Sequence, residues 1–266
     1  MTTVVISHAD PASLTIRDAL LAAGDWKERG AFDGAPVRER GPLTMVEIPA
    51  LHLDADGLDS RLAAADLPHD ALVFASKHKS AAGHASFTVH PVGNWGEAEH
   101  GGRAREFSPA APHLMAALLR ALAARAPKGI GVTYESTHHG PLVAAPACFL
   151  EIGSDEPAWK DPANGRVVAD CLFEALAAPP EGGAAVLIAI GGGHYQPRAT
   201  DLARKGRAVF AHMLPKHHLE RADPMTLARA VAASPGATGY TLDERDEAAA
   251  VAAVAVMHDH GLVRFG

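Results

Sequence analysis

Two cysteines among 266 residues, Cys148 and Cys171, are too few and too far apart for a disulfide framework. Both sit in apolar runs, so a reducing cytosol is the natural setting. No apolar run approaches the ~20 residues that a membrane helix needs. The opening stretch "MTTVVISHAD" meets a histidine and an aspartate too early to read as a secretory signal. A basic excess is missing too. The formal net charge is −7 with neutral histidines, which argues against a generic nucleic-acid binder but leaves room for a local basic patch. There is no internal repeat and no Gly-x-Ser-x-Gly nucleophile elbow. Cys148, inside "ACFLEI", suits packing better than nucleophilic work.

What is present is ample core material, with 48% hydrophobic residues, and 16 histidines. Strand-like runs alternate with helix-like ones. "TVVIS" is followed by an Ala/Leu-rich helical stretch over Pro11 to Ala23. "LTMVEI", "ALVFAS", "SFTVH", "IGVTYE", "CFLEIG" and "AAVLIAI" read as strands. "SPAAPHLMAALLRALAARAP" reads as a helix capped by Ser108 and stopped by Pro127, and Val167 to Ala177 as another. "AVFAHML" fits a strand or a helical turn. Met225 to Ala233 and Glu244 to His258 read as further helices. Such alternation predicts an α/β protein with a mostly parallel sheet and helices on both faces. One unit over residues 1–266 is expected, with a boundary near Pro180 as the alternative.

Ligands of open α/β sheets bind beyond the carboxyl ends of the strands. Four strands carry polar, histidine-bearing clusters there: "SKHKS" with Lys77, His78 and Lys79; "HPVGNWG" with His90, Asn94 and Trp95; "ESTHHGP" with Glu135, His138 and His139; and "GGGHYQPR" with His194 and Arg198. One shared cleft would explain them. Each has an ordinary alternative. "SKHKS" could be a solvated loop or a phosphate contact. "GNWG" could be a tight turn with Trp95 packed inside, or could offer Trp95 as a stacking face for a base. "GGGH" lacks the spacing of a dinucleotide fingerprint or P-loop, yet could cradle phosphate or let backbone approach a ligand. As zinc ligands, His138 and His139 would need a third group from elsewhere, with His194 the candidate. Glu151 lies among apolar neighbours, where an unpartnered carboxylate is costly. A buried salt bridge is its alternative.

Taken in order, "SKHKS…SFTVHPVGNWG", "VTYESTHHGP", "FLEIGSDEPAW", "GGGHYQPRATDLA" and "AHMLPKHHL" resemble the archaeal- and plant-type D-aminoacyl-tRNA deacylases, over Val4 to about Leu219. Leu142 departs from the family, in which threonine usually follows "HHGP". The resemblance implies a three-layer α/β/α sandwich with a mostly parallel mixed sheet, phosphorylase/hydrolase-like. It implies a cytoplasmic, monomeric, zinc-containing hydrolase that cleaves the ester between a D-amino acid and the tRNA 3′ end. On that reading His138, His139, Glu135 and His78 are the candidate catalytic residues. Lys77, Lys79, His90, Asn94, Trp95, Glu151 and Arg198 are the candidates for holding substrate. Lys77, Lys79, Arg198 and Lys216 could meet phosphates, and Asn94 or a glycine amide of "GGG" could hold the oxyanion. Neighbours on an extended segment point to opposite sides, so His138 and His139 are expected to do different jobs. A zinc-dependent peptidase or amidohydrolase on a similar fold, or a non-catalytic tRNA-binding module, are the rival readings.

Overall fold

Along β1 (Thr2–Ser7) the side chains alternate between two layers: Val4 and Ile6 enter one apolar cluster and Val5 another. That alternation recurs across the sheet and decides which helices cover which face. The structure, a computed structural model, describes residues 1–80, 83–177 and 183–266. The elements that follow β1 are α1 (Pro11–Ala22), β2 (Lys27–Phe32), β3 (Ala35–Arg40), β4 (Leu43–Ile48), α2 (Leu58–Ala64), β5 (Ala71–Lys79) and β6 (Ser86–Pro91). After them come α3 (Pro112–Arg125), β7 (Gly131–Tyr134), β8 (Ala147–Ser154), α4 (Glu156–Lys160), α5 (Pro162–Ala177), β9 (Ala185–Ile190) and α6 (Pro197–Arg204). The chain closes with β10 (Ala208–Leu214), α7 (Pro224–Ala232), β11 (Ala237–Leu242), α8 (Val251–Asp259) and β12 (Val263–Arg264).

The larger sheet is mixed and has the order β2-β3-β4-β1-β5-β8-β6-β7. Its centre, from β4 through β1 and β5 to β8, is parallel, as is the β6–β7 pair. The β2–β3–β4 edge and the β6–β8 pair are antiparallel. On one face Val4, Ile6, Val73, Phe87 and Leu150 pack under α1, α3 and α5. On the other, Val5, Phe74 and Phe149 pack under α2 through Leu58 and Leu62. Helix, sheet and helix therefore form three layers, as the alternation requires.

A second sheet, β10-β9-β11-β12, is parallel throughout. Ala189, Phe210 and Met213 turn inward to join the same apolar cluster as Val89 and Leu118. Ile190, Leu214 and Tyr240 turn outward beneath α7 and α8. The strand pattern of "AAVLIAI" and "AVFAHML" does not disclose that these strands leave the first sheet.

Other departures are local. β5 continues to Lys79, so Lys77 and His78 are strand residues rather than a loop. Ser108 does not cap α3. Ala111 stands at the cap, while the Ser108 hydroxyl donates to the Pro141 carbonyl and accepts from the Val143 amide. The boundary considered near Pro180 lies outside the described residues. Among the described residues no helix is long and apolar enough to cross a membrane.

Candidate active site

The stretch 135–141 leaves β7 and is tied to both sheets. The Glu135 amide donates to Val89, the Ser136 amide to His194 and the Thr137 amide to Met213. The Thr137 hydroxyl accepts from the Met213 amide in return. Gly140 passes so close to Gly101 and Gly102 that a Cβ there would collide with their backbone. The loop is therefore held by bonds to two sheets and by one glycine-on-glycine contact.

This loop assembles the polar strand ends. Glu135 is fully buried, and imidazole nitrogens ring its carboxylate: His194 Nε2 at 2.7 Å, His78 Nδ1 at 3.1 Å and His138 Nε2 at 3.5 Å. Neither oxygen of Glu135 is met in hydrogen-bond geometry. A second buried carboxylate, Glu151, stands 3.6 Å from His90 and 3.7 Å from His78, both through Oε2, which also accepts from Thr88. His78, His90, Glu135, His138, His139, Glu151 and His194 thus form one cluster, to which β5, β6, β8 and the loops after β7 and β9 contribute.

Three of the histidines share a hydrogen-bonding pattern. Nδ1–H of His90 donates to Pro91, that of His138 to Ser136 and that of His139 to Gly140, each to a backbone carbonyl at 2.8–3.0 Å. A carbonyl only accepts, so these bonds fix the tautomer and leave each Nε2 as a lone-pair donor. The three side chains can bring ligand atoms within 4.8 Å of one another. His90 is backed by Phe149, stacked at 5.0 Å. The expectation that His138 and His139 point to opposite sides fails. His139 has φ 46°, the left-handed region, so the segment is not extended there. Their rings lie 4.3 Å apart, and both face His90.

Electrostatics separate the members. Desolvation lowers His138 and takes His139 to about 3, with His90 adding repulsion, so both are neutral. Desolvation would also lower His78 and His90, but the carboxylates outweigh it, Glu135 foremost at His78 and Glu151 at His90, and both are raised. Burial alone would raise Glu135, yet His194 and His78 hold it well below the carboxylate range. Burial does raise Glu151. Two buried carboxylates thus draw positive charge towards His78 and His90, in a site that also holds the neutral imidazoles of His138 and His139.

Two spaces open onto the cluster. A cleft of about 400 Å³ is lined by His138, His139, His100, His218, Arg105 and Arg221, among others. A chamber of about 160 Å³ lies against His139 and Glu151 and is walled by Asp10, Leu51, Leu53 and Lys77.

Several expected contacts with substrate are not available. Trp95 is 2% exposed, its indole N–H donates to Met213 and its ring meets Phe107 edge-on, so it packs rather than stacks a base. Both assigned donor contacts of the Asn94 amide go to the backbone of Gly101 and Arg103, which makes it a loop brace rather than an oxyanion donor. The Gly192 amide already donates to Asp246, so the glycine loop does not stand ready for phosphate. Arg198 donates to the Leu242 carbonyl at the second sheet, away from the cluster. Lys77 lies near Asp10 (3.9 Å) and over Trp159, at the small chamber, and Lys79 is exposed beyond it. Leu142 is anchored by its backbone, its amide to Asp56 and its carbonyl to Gly57. Sequence reasoning missed Arg105, Arg221 and Asp10. Arg221 follows "AHMLPKHHL" by two residues, but nothing in its local pattern marks it.

Comparison with known proteins gives a consistent set of matches. Residues 66–262 match the family model described as D-aminoacyl-tRNA deacylase. The D-aminoacyl-tRNA deacylase of Methanoculleus marisnigri is 38% identical over 242 residues, covering 89% of this chain and 51% of its own length. That of Methanosarcina mazei is 36% identical over 249 residues, covering 90% and 82%. The chain spans about half the length of the first of these relatives and of the one from Methanococcoides burtonii (48%). A crystal structure of a conserved protein of unknown function superposes with a TM-score of 0.92 at 30% identity, over 99% of this chain and 94% of that one.

Proposed function

The chain belongs to the D-aminoacyl-tRNA deacylase family, and from that premise we propose that it hydrolyses the ester joining a D-amino acid to the tRNA 3′ end. We propose further that it works as a monomer in the cytoplasm, where aminoacyl-tRNA is used. The observation that carries the reading is the convergence of His90, His138 and His139, each with Nδ1 tied to a backbone carbonyl, beside the Glu135–His194 pair.

The residues fit zinc. Three imidazoles have fixed tautomers and inward Nε2 atoms, and the Glu135 oxygens lack hydrogen bonds of their own. His90, His138 and His139 would hold the ion, with Glu135 beside them; the earlier set of His138, His139 and His194 exchanges His194 for His90. Zinc bound there would polarise the ester carbonyl and lower the pKa of water. His194, 43% exposed and 2.7 Å from Glu135, is the member placed to meet solvent. Its ring takes a proton from the attacking water, and Glu135 stabilises the imidazolium formed. The same ring returns the proton to the departing 3′ oxygen. His78, bonded to the Tyr195 hydroxyl at 2.9 Å, holds the far side of the carboxylate. An aminoacyl ester is an activated substrate, so this positioned acid–base pair suffices without a nucleophilic side chain.

The test is single-turnover hydrolysis of matched D-Tyr-tRNA and L-Tyr-tRNA by purified protein, with and without a chelator. Rapid cleavage of the D-form alone, lost on chelation, is expected. Equal persistence of both esters refutes the reading.

A further inference from the structure

The two spaces beside the cluster differ in charge as well as size. The larger cleft is lined by the Arg105 and Arg221 guanidiniums, the His100 and His218 imidazoles and the Glu97 and Glu99 carboxylates. The smaller chamber is walled by two buried carboxylates, Asp10 (2% exposed) and Glu151 (2% exposed). Its one cation, Lys77, lies 3.9 Å from Asp10. Of the two spaces the cleft presents guanidiniums and the chamber does not, so the cleft is the better place for a phosphate.

The carboxylates of the chamber are not equivalent. Asp10 is spent. Its Oδ1 accepts from the Ala12 and Ser13 amides at the start of α1, and its Oδ2 from the Ser76 hydroxyl and the Lys77 amide. Glu151 is half spent. Among the described residues the contacts to its carboxylate, from Thr88, His78 and His90, are all to Oε2. Glu151 also lines the chamber, so Oε1 is the oxygen left to meet a ligand there.

On the deacylase reading, we propose that the chamber is the aminoacyl subsite: Glu151 Oε1 receives the α-ammonium, Leu51 and Leu53 meet the side chain, and the nucleotide lies in the larger cleft. His139 walls both spaces, so the ester bond lies at that junction. The chamber of about 160 Å³ is well under half the size of the cleft of about 400 Å³, which suits it to the amino-acid side chain and the cleft to the nucleotide. Three attachments distinguish the two hands, and the chamber assignment requires that, with the carbonyl at His139 and the ammonium on Glu151, the D-residue is the one whose side chain enters the chamber.

Substrate changes and wall changes test this without altering the cluster. Wild-type single-turnover rates are measured on D-Tyr-tRNA, N-methyl-D-Tyr-tRNA and N-acetyl-D-Tyr-tRNA, each corrected for spontaneous hydrolysis. The N-methyl substrate keeps the positive charge and should react within threefold of D-Tyr-tRNA. The neutral N-acetyl substrate should fall at least tenfold below it. Leu53→Trp, which fills the chamber, should raise the rate ratio of D-Ala-tRNA to D-Tyr-tRNA at least tenfold, and Leu53→Ala should lower it; thermal melting checks that both stay folded. Ratios unchanged in both variants overturn the chamber assignment, and equal rates for the N-acetyl and N-methyl substrates overturn the ammonium contact, while the deacylase reading stands in either case. No cleavage of D-Tyr-tRNA by wild type overturns both.

Discussion

Glu135 and His212 show how much one side chain can carry. Glu135 is surrounded by His194, His78 and His138 and cannot be replaced by a neutral amide without losing the charge that supports the imidazolium. Glu135→Gln should slow single-turnover cleavage of D-Tyr-tRNA by roughly 10²–10⁴-fold, the usual worth of a positioned acid–base group. Its tRNA affinity, measured by filter binding, should stay near wild type, and a rate within threefold would remove Glu135 from the chemistry. His212 is fully buried, its Nε2–H donates to the Ser108 carbonyl and its Nδ1 pairs with the Thr137 hydroxyl, and desolvation lowers it to about 4. Unfolded, it would titrate near 6.5. The unfolded chain therefore binds the extra proton between those values. The stability His212 supports is complete above pH 6.5 and drains away as pH falls towards 4, by up to roughly 3 kcal/mol. Urea unfolding at pH 7 and pH 5 reads this, and His212→Gln should flatten the difference. At this scale the sequence was partly legible. Glu135 and His138 stood out because they end an apolar strand. His212 lay inside "AVFAHML", where burial and not pattern decides its role, and Asp10 sat in an ordinary helix start.

Among the elements, α1 and β5 are joined by Asp10, which caps the helix and accepts from Ser76 and Lys77 of the strand. Asp10→Ala removes a cap worth about 1 kcal/mol and strands buried donors at about 1–3 kcal/mol. A loss of roughly 2–4 kcal/mol in urea unfolding is expected, and a loss below 0.5 would deny that the carboxylate links the two elements. The strands read correctly in the sequence were those with apolar runs, such as "ALVFAS" and "CFLEIG". The β2–β3 hairpin was missed because "KERGAF" and "APVRER" are charged and largely unburied. The Asp33-Gly34 pair between them, with both residues at positive φ, is the turn signal that would have revealed it. Hydrophobic periodicity reports that a strand is buried on one face or two. It does not report which sheet owns it, so β9 was legible as a strand and not as part of a separate sheet, "AVFAHML" stayed open between strand and helical turn, and "ATGYTL" of β11 was missed.

At the scale of the whole molecule, acid outweighs base by seven charges, so on the proposed function tRNA would be met locally. Arg221 lines the larger cleft with Arg105, but Arg105 is paired with Asp223 at 3.1 Å. Arg221→Ala should weaken tRNA binding and reduce the slope of log affinity against log salt by about 1, the signature of one lost phosphate contact. An unchanged slope would return Arg221 to ordinary surface. Zinc, if held as proposed, also belongs to the stability of the whole fold, because binding to the native state alone raises melting temperature. Chelation should lower the melting temperature and re-added zinc restore it. A melting temperature indifferent to chelator, with no zinc by elemental analysis, would dismiss the ion. The stretch 135–141 has a last consequence. Its amides reach Val89 on one sheet and Met213 on the other, and His194 comes to Glu135 from the second sheet's side. The Glu135–His194 pair therefore spans the seam between the two sheets, and cleavage of D-Tyr-tRNA should fail on warming before far-UV circular dichroism reports any loss of strand.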